Sequence, residues 1–261
     1  MEHAERPRLH RRTEGGWGVT EPTRLTNWVL ASIPPKEYGR LQAQLEPVVL
    51  KFQQVLYEPG KAIRYVYFPL DCLISLLTAV DKRRTLEVGM VGNEGMAGMP
   101  FILGVGVSGV RAIVQGGGNA LRMDSAAFRN EFDRNRPLQE ALYRYTYALM
   151  AQISQTAACN RFHDTEARLA RWLLMTRARV GSNEFALTHE FLAHMLGVRR
   201  VGVTEAASAL RRRKLISYTR GMIQILDLRG LKAASCSCFQ IVQSVFERAQ
   251  RAPPRAVHRP T

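Results

Sequence analysis

Residues 188–214 read THEFLAHMLGVRRVGVTEAASALRRRK, and no other stretch of the chain restricts its fold so tightly. Thr188 suits an N-cap, its hydroxyl accepting a hydrogen bond from a free first-turn amide, with Glu190 and Phe191 opening the helix behind it. Phe191, Leu192, Met195 and Leu196 form one apolar stripe; Val203, Ala206, Ala207 and Leu210 form a second at the same helical spacing. Gly197 falls where the first helix has to stop, because a left-handed backbone costs glycine little. Two helices joined by so short a turn cannot lie antiparallel, so they cross steeply. That is a helix-turn-helix, whose second helix lays its N-terminal side chains in the major groove of duplex DNA. Amphipathic helices and Arg runs also occur as solvated faces of any small helical domain, but here caps, stripes, hinge and basic termini agree.

Charge points the same way. The chain carries +15, of which residues 161–261 supply +11 (18 Lys+Arg against 7 Asp+Glu) and residues 1–160 only +4 (19 against 15). So lopsided a balance implies a polyanionic partner for the C-terminal half, and double-stranded DNA fits because each neutralised phosphate releases condensed counterions. A membrane surface is also anionic, yet the sequence has no long basic amphipathic helix with aromatic anchors. No apolar run approaches the length of a membrane span, and the N-terminal MEHAERPRLHRR lacks a hydrophobic signal core, so a cytoplasmic protein is expected.

At 261 residues the chain suggests two domains. Residues 1–24 read as a flexible basic tail. Residues 25–134 begin with a helical lead-in broken at Pro34-Pro35 and then turn strand-like: 55–57 ahead of Glu58-Pro59-Gly60, then 63–68, 73–78 and 85–90. A closing hairpin is expected from 113–114 and 120–123 around Gly116-Gly117-Gly118. Short strands at this spacing argue for an antiparallel barrel or sandwich. Residues 135–162 form a long helix in which Leu138, Leu142, Tyr145, Leu149, Ile153 and Thr156 recur close to the 3.5-residue coiled-coil repeat. That seam can pack on its own barrel or on a twin; the twin is the expectation. Residues 163–247 hold a helix over 165–180, the helix pair, and a strand-turn-strand wing about Thr219-Arg220-Gly221. Residues 248–261 read as a second flexible tail.

Arranged in this order, the chain resembles the Crp/Fnr family of bacterial transcription regulators over residues 25–234. The resemblance is carried by Glu58-Pro59-Gly60 with Val66-Tyr67-Phe68-Pro69 behind it, by Gly92-Asn93-Glu94-Gly95, and by the helix pair with Leu192-Ala193, Leu196-Gly197, Arg200, Val203 and Leu210. It implies an α+β fold: an N-terminal antiparallel β-roll of the cyclic-nucleotide-binding kind, a long dimerisation helix and a C-terminal winged helix-turn-helix. It also implies a homodimer on a symmetric operator, with RNA polymerase a further partner. Arg200 would then reach a base edge, most simply the guanine O6/N7 face, and Arg199, Val201, Thr204 and Glu205 would complete the reading set. Val201 and Glu205 stand where the cyclic-AMP receptor has a glutamate and an arginine, so a different operator is implied. Thr188, Thr219 and Arg220 would meet phosphates. Arg211, Arg212, Arg213 and Lys214 fit either phosphate contacts or a solvated helix end favoured by the dipole.

The sensor end departs from the family pattern. Cyclic-nucleotide binders follow their Gly-Glu with an Arg-Ser/Thr-Ala clamp, whereas here Glu94 precedes Gly95-Met96-Ala97-Gly98 and the nearby arginine reads Val110-Arg111-Ala112. Glu94 and Arg111 are the candidate ligand contacts, but no cyclic nucleotide is expected. No Cys precedes Cys72, so the N-terminal cluster of iron–sulfur members is missing as well. Cys72, Cys159, Cys236 and Cys238 are too few and scattered for a disulfide framework. Cys236-Ser237-Cys238 offers two thiols, but a metal needs more ligands and no His or Cys pair lies close in sequence. Two ordinary cysteines of a terminal helix, and no metal, are the expectation. A contrasting reading is a β-roll adaptor for nucleotide or protein whose basic half docks on RNA or an acidic partner. An enzyme is not expected, for the chain has no nucleophile elbow, HExxH, P-loop or helically spaced carboxylate pair.

Overall fold

The computed structural model describes residues 26–81 and 84–251, so the expected tail over 1–24 and most of that over 248–261 lie outside the described residues. Two short helices lead in, α1 (Trp28–Ala31) and α2 (Pro35–Gln42). Asn27 caps α1, its Oδ1 accepting from the Leu30 amide while Nδ2 donates to the carbonyls of Pro69 and Gly95. Strands β1 (Glu46–Leu50), β2 (Val55–Tyr57), β3 (Tyr65–Pro69), β4 (Leu73–Ala79), β5 (Thr85–Val91), β6 (Arg111–Gly116) and β7 (Gly118–Asp124) make two antiparallel sheets, ordered β1-β7-β3 and β2-β6-β4-β5. Phe68, Leu73, Ile74, Met90 and Met123 fill the space they enclose.

The expected hairpin between 113–114 and 120–123 does not form: β6 pairs with β2 and β4, whereas β7 pairs with β1 and β3. The glycine run instead carries the chain from one sheet to the other. A Cβ on Gly117 would stand 3.1 Å from the Leu50 carbonyl oxygen, so a side chain there would press on the backbone of β1.

Helix α3 (Ser125–Arg134) starts where the Asp124 carboxylate accepts the amides of Ala126 and Ala127. Helix α4 (Arg136–Phe162) follows at once, capped by Asn135 on the Leu138 amide. Its 27 residues span about 40 Å. Here the twin-facing seam must be corrected. Leu138, Leu142, Tyr145, Leu149 and Thr156 are buried and Ile153 half-buried within this one chain, against β5 and the last helix. Gly89 on β5 shows how close: a Cβ there would meet Ile153 at 3.4 Å and Leu149 at 3.5 Å. A covalently attached roll is always present to cover that stripe, whereas a twin has to be recruited. The open face of α4 carries Tyr143, Tyr147, Met150 and Phe162, between 52 % and 77 % exposed.

Helix α5 (Thr165–Val180), capped by Asp164, ends on the left-handed Gly181. Beyond it come β8 (Glu184–Ala186), α6 (His189–Leu196), α7 (Arg200–Arg212), β9 (Ile216–Thr219), β10 (Met222–Ile225), α8 (Leu228–Ala234) and α9 (Cys238–Arg251). The small sheet runs β8-β10-β9, one strand more than the expected wing. Helix α9 lays Phe239, Val242 and Phe246 inward and packs back along α4, the Phe246 ring 6.5 Å from that of Tyr145. Among the described residues no helix is long and apolar enough to cross a membrane.

Candidate nucleic-acid interface

The α6–α7 pair has the local chemistry its sequence predicts. Thr188 Oγ1 accepts the Phe191 amide at 3.1 Å, and Gly197 ends α6 at φ 62°. Gly197 answers a second demand: a Cβ there would lie 2.5 Å from Leu86 on β5, so the turn itself is pressed against the roll. The Phe191 ring meets Phe52 at 5.5 Å on the same side. In α7, Val203, Ala206, Ala207 and Leu210 are buried toward α5 and α6, which fixes the rotation of the helix. The opposite face presents Arg199, Arg200, Val201, Thr204 and Glu205, all exposed. Arg199 is the N-cap residue and makes no side-chain capping bond.

Within that set the Thr204 hydroxyl is already engaged, donating to the Arg200 carbonyl (3.1 Å) and lying 2.9 Å from His189 Nδ1. His189 is a residue of this site that the sequence alone did not single out. Its ring stacks on Tyr218 of β9 at 4.3 Å and so ties α6, α7 and the wing together. Burial first, and the Arg200 charge second, lower its pKa. A neutral ring is favoured there.

Arg211, Arg212, Arg213 and Lys214 close α7 on the exposed surface, although Arg213 is paired with Glu166 of α5 at 2.8 Å. Thr219 and Arg220 are exposed at the β9–β10 turn. Both central residues have positive φ, Arg220 at 50° and Gly221 at 79°, the geometry whose twist matches a tight two-residue hairpin.

Glu94 and Arg111 are each committed elsewhere and are not assembled into a phosphate clamp. Arg111 pairs with Glu58 at the surface (2.8 Å). Glu94 is buried and pairs with Arg179 of α5 (2.7 Å), whose other nitrogens donate to Gln152 Oε1 and to the Met175 carbonyl. The Gly92-Asn93-Glu94-Gly95 segment owes its glycines to this packing. A Cβ on Gly92 would lie 2.7 Å from Arg179 Cγ, and one on Gly95 would fall inside the Tyr145 ring. Further buried bonds join the roll to α5: Trp172 Nε1 donates to Glu87 (3.0 Å), and Gln115 Nε2 to Thr176 (3.1 Å). Glu94 and Tyr145 also line a cavity of about 360 Å³ between α1, α4 and α9, and both Glu94 Oε2 and the Tyr145 hydroxyl are buried without a hydrogen-bond partner.

The two cysteines that the sequence reads as ordinary members of a terminal helix have company in the fold. Cys236 and Cys238, at the α8–α9 junction, meet Cys159 and His163 at the end of α4, so two further donors lie close in space that are distant in sequence. Cys72 stays apart, buried in the roll.

Residues 167–234 match the family model of the Crp-like helix-turn-helix domain. Among solved structures the chain is similar to FixK2 from Bradyrhizobium japonicum, at 12% identity and a TM-score of 0.63, covering 74% of this chain and 98% of that one. It is also similar to a transcriptional regulator of the CRP/FNR family from Thermus thermophilus, at 22% identity and a TM-score of 0.58, covering 73% and 98%. At such identities the likeness is one of fold. No curated protein matches the chain.

Proposed function

We infer that this chain, which has the Crp/Fnr fold and carries a Crp-like helix-turn-helix over residues 167–234, is a transcription regulator that binds duplex DNA. The observation that carries this is the orientation of α7. Its apolar face is locked against α5 and α6, which turns Arg199, Arg200, Val201 and Glu205 outward from the N-terminal half of a helix on a strongly basic surface. In a major groove Arg200 has the reach to bridge a guanine O6/N7 edge, while Thr188 and Thr219 donate hydroxyl hydrogen bonds to phosphates, and Arg220, Arg211, Arg212 and Lys214 neutralise phosphates, together setting the register. Arg213 contributes less, since Glu166 already holds it.

The regulator works as a homodimer reading two half-sites about 34 Å apart. Its pairing surface is the open face of α4, with Tyr143, Tyr147 and Met150 in near-heptad spacing, rather than the buried seam. A signal enters through the roll; the cavity lined by Glu94 and Tyr145, with two unpartnered polar atoms, is the place suited to receive one. The polar bonds from Glu94, Glu87 and Gln115 to α5 are the means by which a change in the roll reaches the recognition helix.

Selection of bound fragments from random duplex DNA, with the native chain and Arg200→Ala, tests the reading. A symmetric site is expected for the native protein. The variant should lose about 1–3 kcal/mol of specific binding and relax its preference at one base position per half-site. An identical binding profile for the variant, or preference for structured RNA over duplex DNA, would overturn it.

A further inference from the structure

Four side chains that no role in DNA reading employs converge where the long helix meets the DNA-binding half. Cys159 and His163 sit one helical turn apart at the C-terminal end of α4, and Cys236 and Cys238 bracket one residue at the α8–α9 junction. Their ligand atoms all lie within 4.8 Å of one another. Cys159 Sγ is 3.5 Å from Cys236 Sγ, and Cys238 Sγ is 3.6 Å from His163 Nδ1. The three thiols are buried and His163 is half-buried, so the group is closed on the protein side.

We propose that Cys159, His163, Cys236 and Cys238 bind one zinc ion in a closed tetrahedral site that fastens α9 and the helix-turn-helix to the end of α4. Metal–sulfur bonds of about 2.3 Å give a tetrahedron with sulfur–sulfur edges of roughly 3.8 Å, close to the separations seen here. Three thiolates and an imidazole are a soft donor set that favours zinc over magnesium or calcium. An iron–sulfur cluster interposes two or more irons with bridging sulfides and requires the donors further apart. A disulfide would use two of the sulfurs and leave the approach of Cys238 and His163 without purpose.

The surroundings fit the charge that such a site would carry. On binding, the three thiols release their protons to solvent and His163 coordinates as neutral imidazole, so Zn²⁺ with three thiolates leaves a net charge of about −1. Arg168 and Arg171 of α5 are both buried, neither forms an ion pair among the described residues, and each has an Nε without a hydrogen-bond partner. Both act electrostatically on the thiols of the cluster. Gln155 Nε2 already donates to Cys238 Sγ at 3.1 Å, the kind of outer hydrogen bond that orients a thiolate ligand.

The full-length reduced protein, purified without chelator and then loaded with zinc or cobalt(II), tests this by elemental analysis and absorption. About one ion per chain is expected, and cobalt should give thiolate charge-transfer bands with the intense visible bands of a tetrahedral centre. Cys159→Ser and Cys236→Ser should each weaken metal retention roughly tenfold or more, with Cys72→Ser as the control that keeps it. His163→Gln removes a half-buried ligand without disturbing the packed thiols. It serves if the serine variants fail to fold by circular dichroism, and should show the same loss. Removing the metal should also lower the melting temperature of the native chain. Folded, reduced protein that takes up neither ion, a six-coordinate cobalt spectrum, the colour of an iron–sulfur cluster, or full metal retention by folded His163→Gln would each overturn the proposal.

Discussion

Arg179 reaches out of α5 to place Nε on Glu94, Nη2 on Gln152 and Nη1 on the Met175 carbonyl, with its guanidinium 5.6 Å from the Phe246 ring centre. Both members of the ion pair are buried, so each depends on the other for the solvation it gave up. Arg179→Met should therefore cost about 3–5 kcal/mol by stranding the carboxylate, whereas Glu94→Gln/Arg179→Met should recover most of that loss. Urea denaturation of both variants decides it, and equal losses would mean the pair is not the unit. Gly95 makes a related demand: Gly95→Ala would drive a methyl group into the Tyr145 ring. A drop of several degrees in melting temperature is expected, reduced when Tyr145→Leu opens the space. The glycines around Glu94 were legible in the sequence as a motif, but not their reason. Two of them make room for Arg179 and Tyr145, 87 and 50 residues away in the chain.

At the level of elements, the helix pair was readable because its determinants are local. A cap at Thr188, a left-handed glycine at 197 and two stripes at helical spacing act within a few residues of one another. Helix α4 was readable as a helix and misread as to partner. It carries apolar residues on two faces, and periodicity reveals a stripe without saying what covers it. The structure covers Leu138, Leu142, Tyr145 and Leu149 from within the chain and leaves Tyr143, Tyr147 and Met150 open. The two stripes should accordingly respond differently to a charge. Met150→Asp should yield a folded monomer by sedimentation with most operator affinity lost, while Leu142→Asp should unfold the chain, since it buries a carboxylate in the core. A dimeric Met150→Asp protein would refute the open face as the pairing surface. The hairpin across Gly116-Gly117-Gly118 failed for a similar reason: turn residues announce a change of direction, but the strand that each side pairs with is chosen by distant partners.

For the molecule as a whole, the roll and the DNA-binding half share a buried polar layer, and one member of it titrates near neutrality. Burial raises the Glu87 carboxyl from its ordinary 4.5 to about 7, only partly opposed by bonds from Ser75 and Trp172. The folded chain thus keeps a proton that the unfolded chain has released, and the stability this contributes is fully present below about pH 4.5 and lost as pH rises through about 7. Its size is about 3 kcal/mol. His189 has the opposite sign: its lowered pKa takes stability away as pH falls below the ordinary histidine value. Comparing native protein with Glu87→Gln at about pH 5 and about pH 8 isolates the carboxyl. The native chain should lose relatively more stability at the higher pH, and a pH-independent difference between the two would count against a protonated Glu87. What the sequence determined alone was what neighbouring residues can enforce: the winged helix-turn-helix, the strand-rich region, the long helix and the basic balance. Which face of α4 lies open, that Glu94 holds an arginine, and that Cys159 and His163 meet Cys236 and Cys238 were decided only in three dimensions. Those contacts join segments tens of residues apart, and their energy comes from mutual burial, which a linear pattern does not encode.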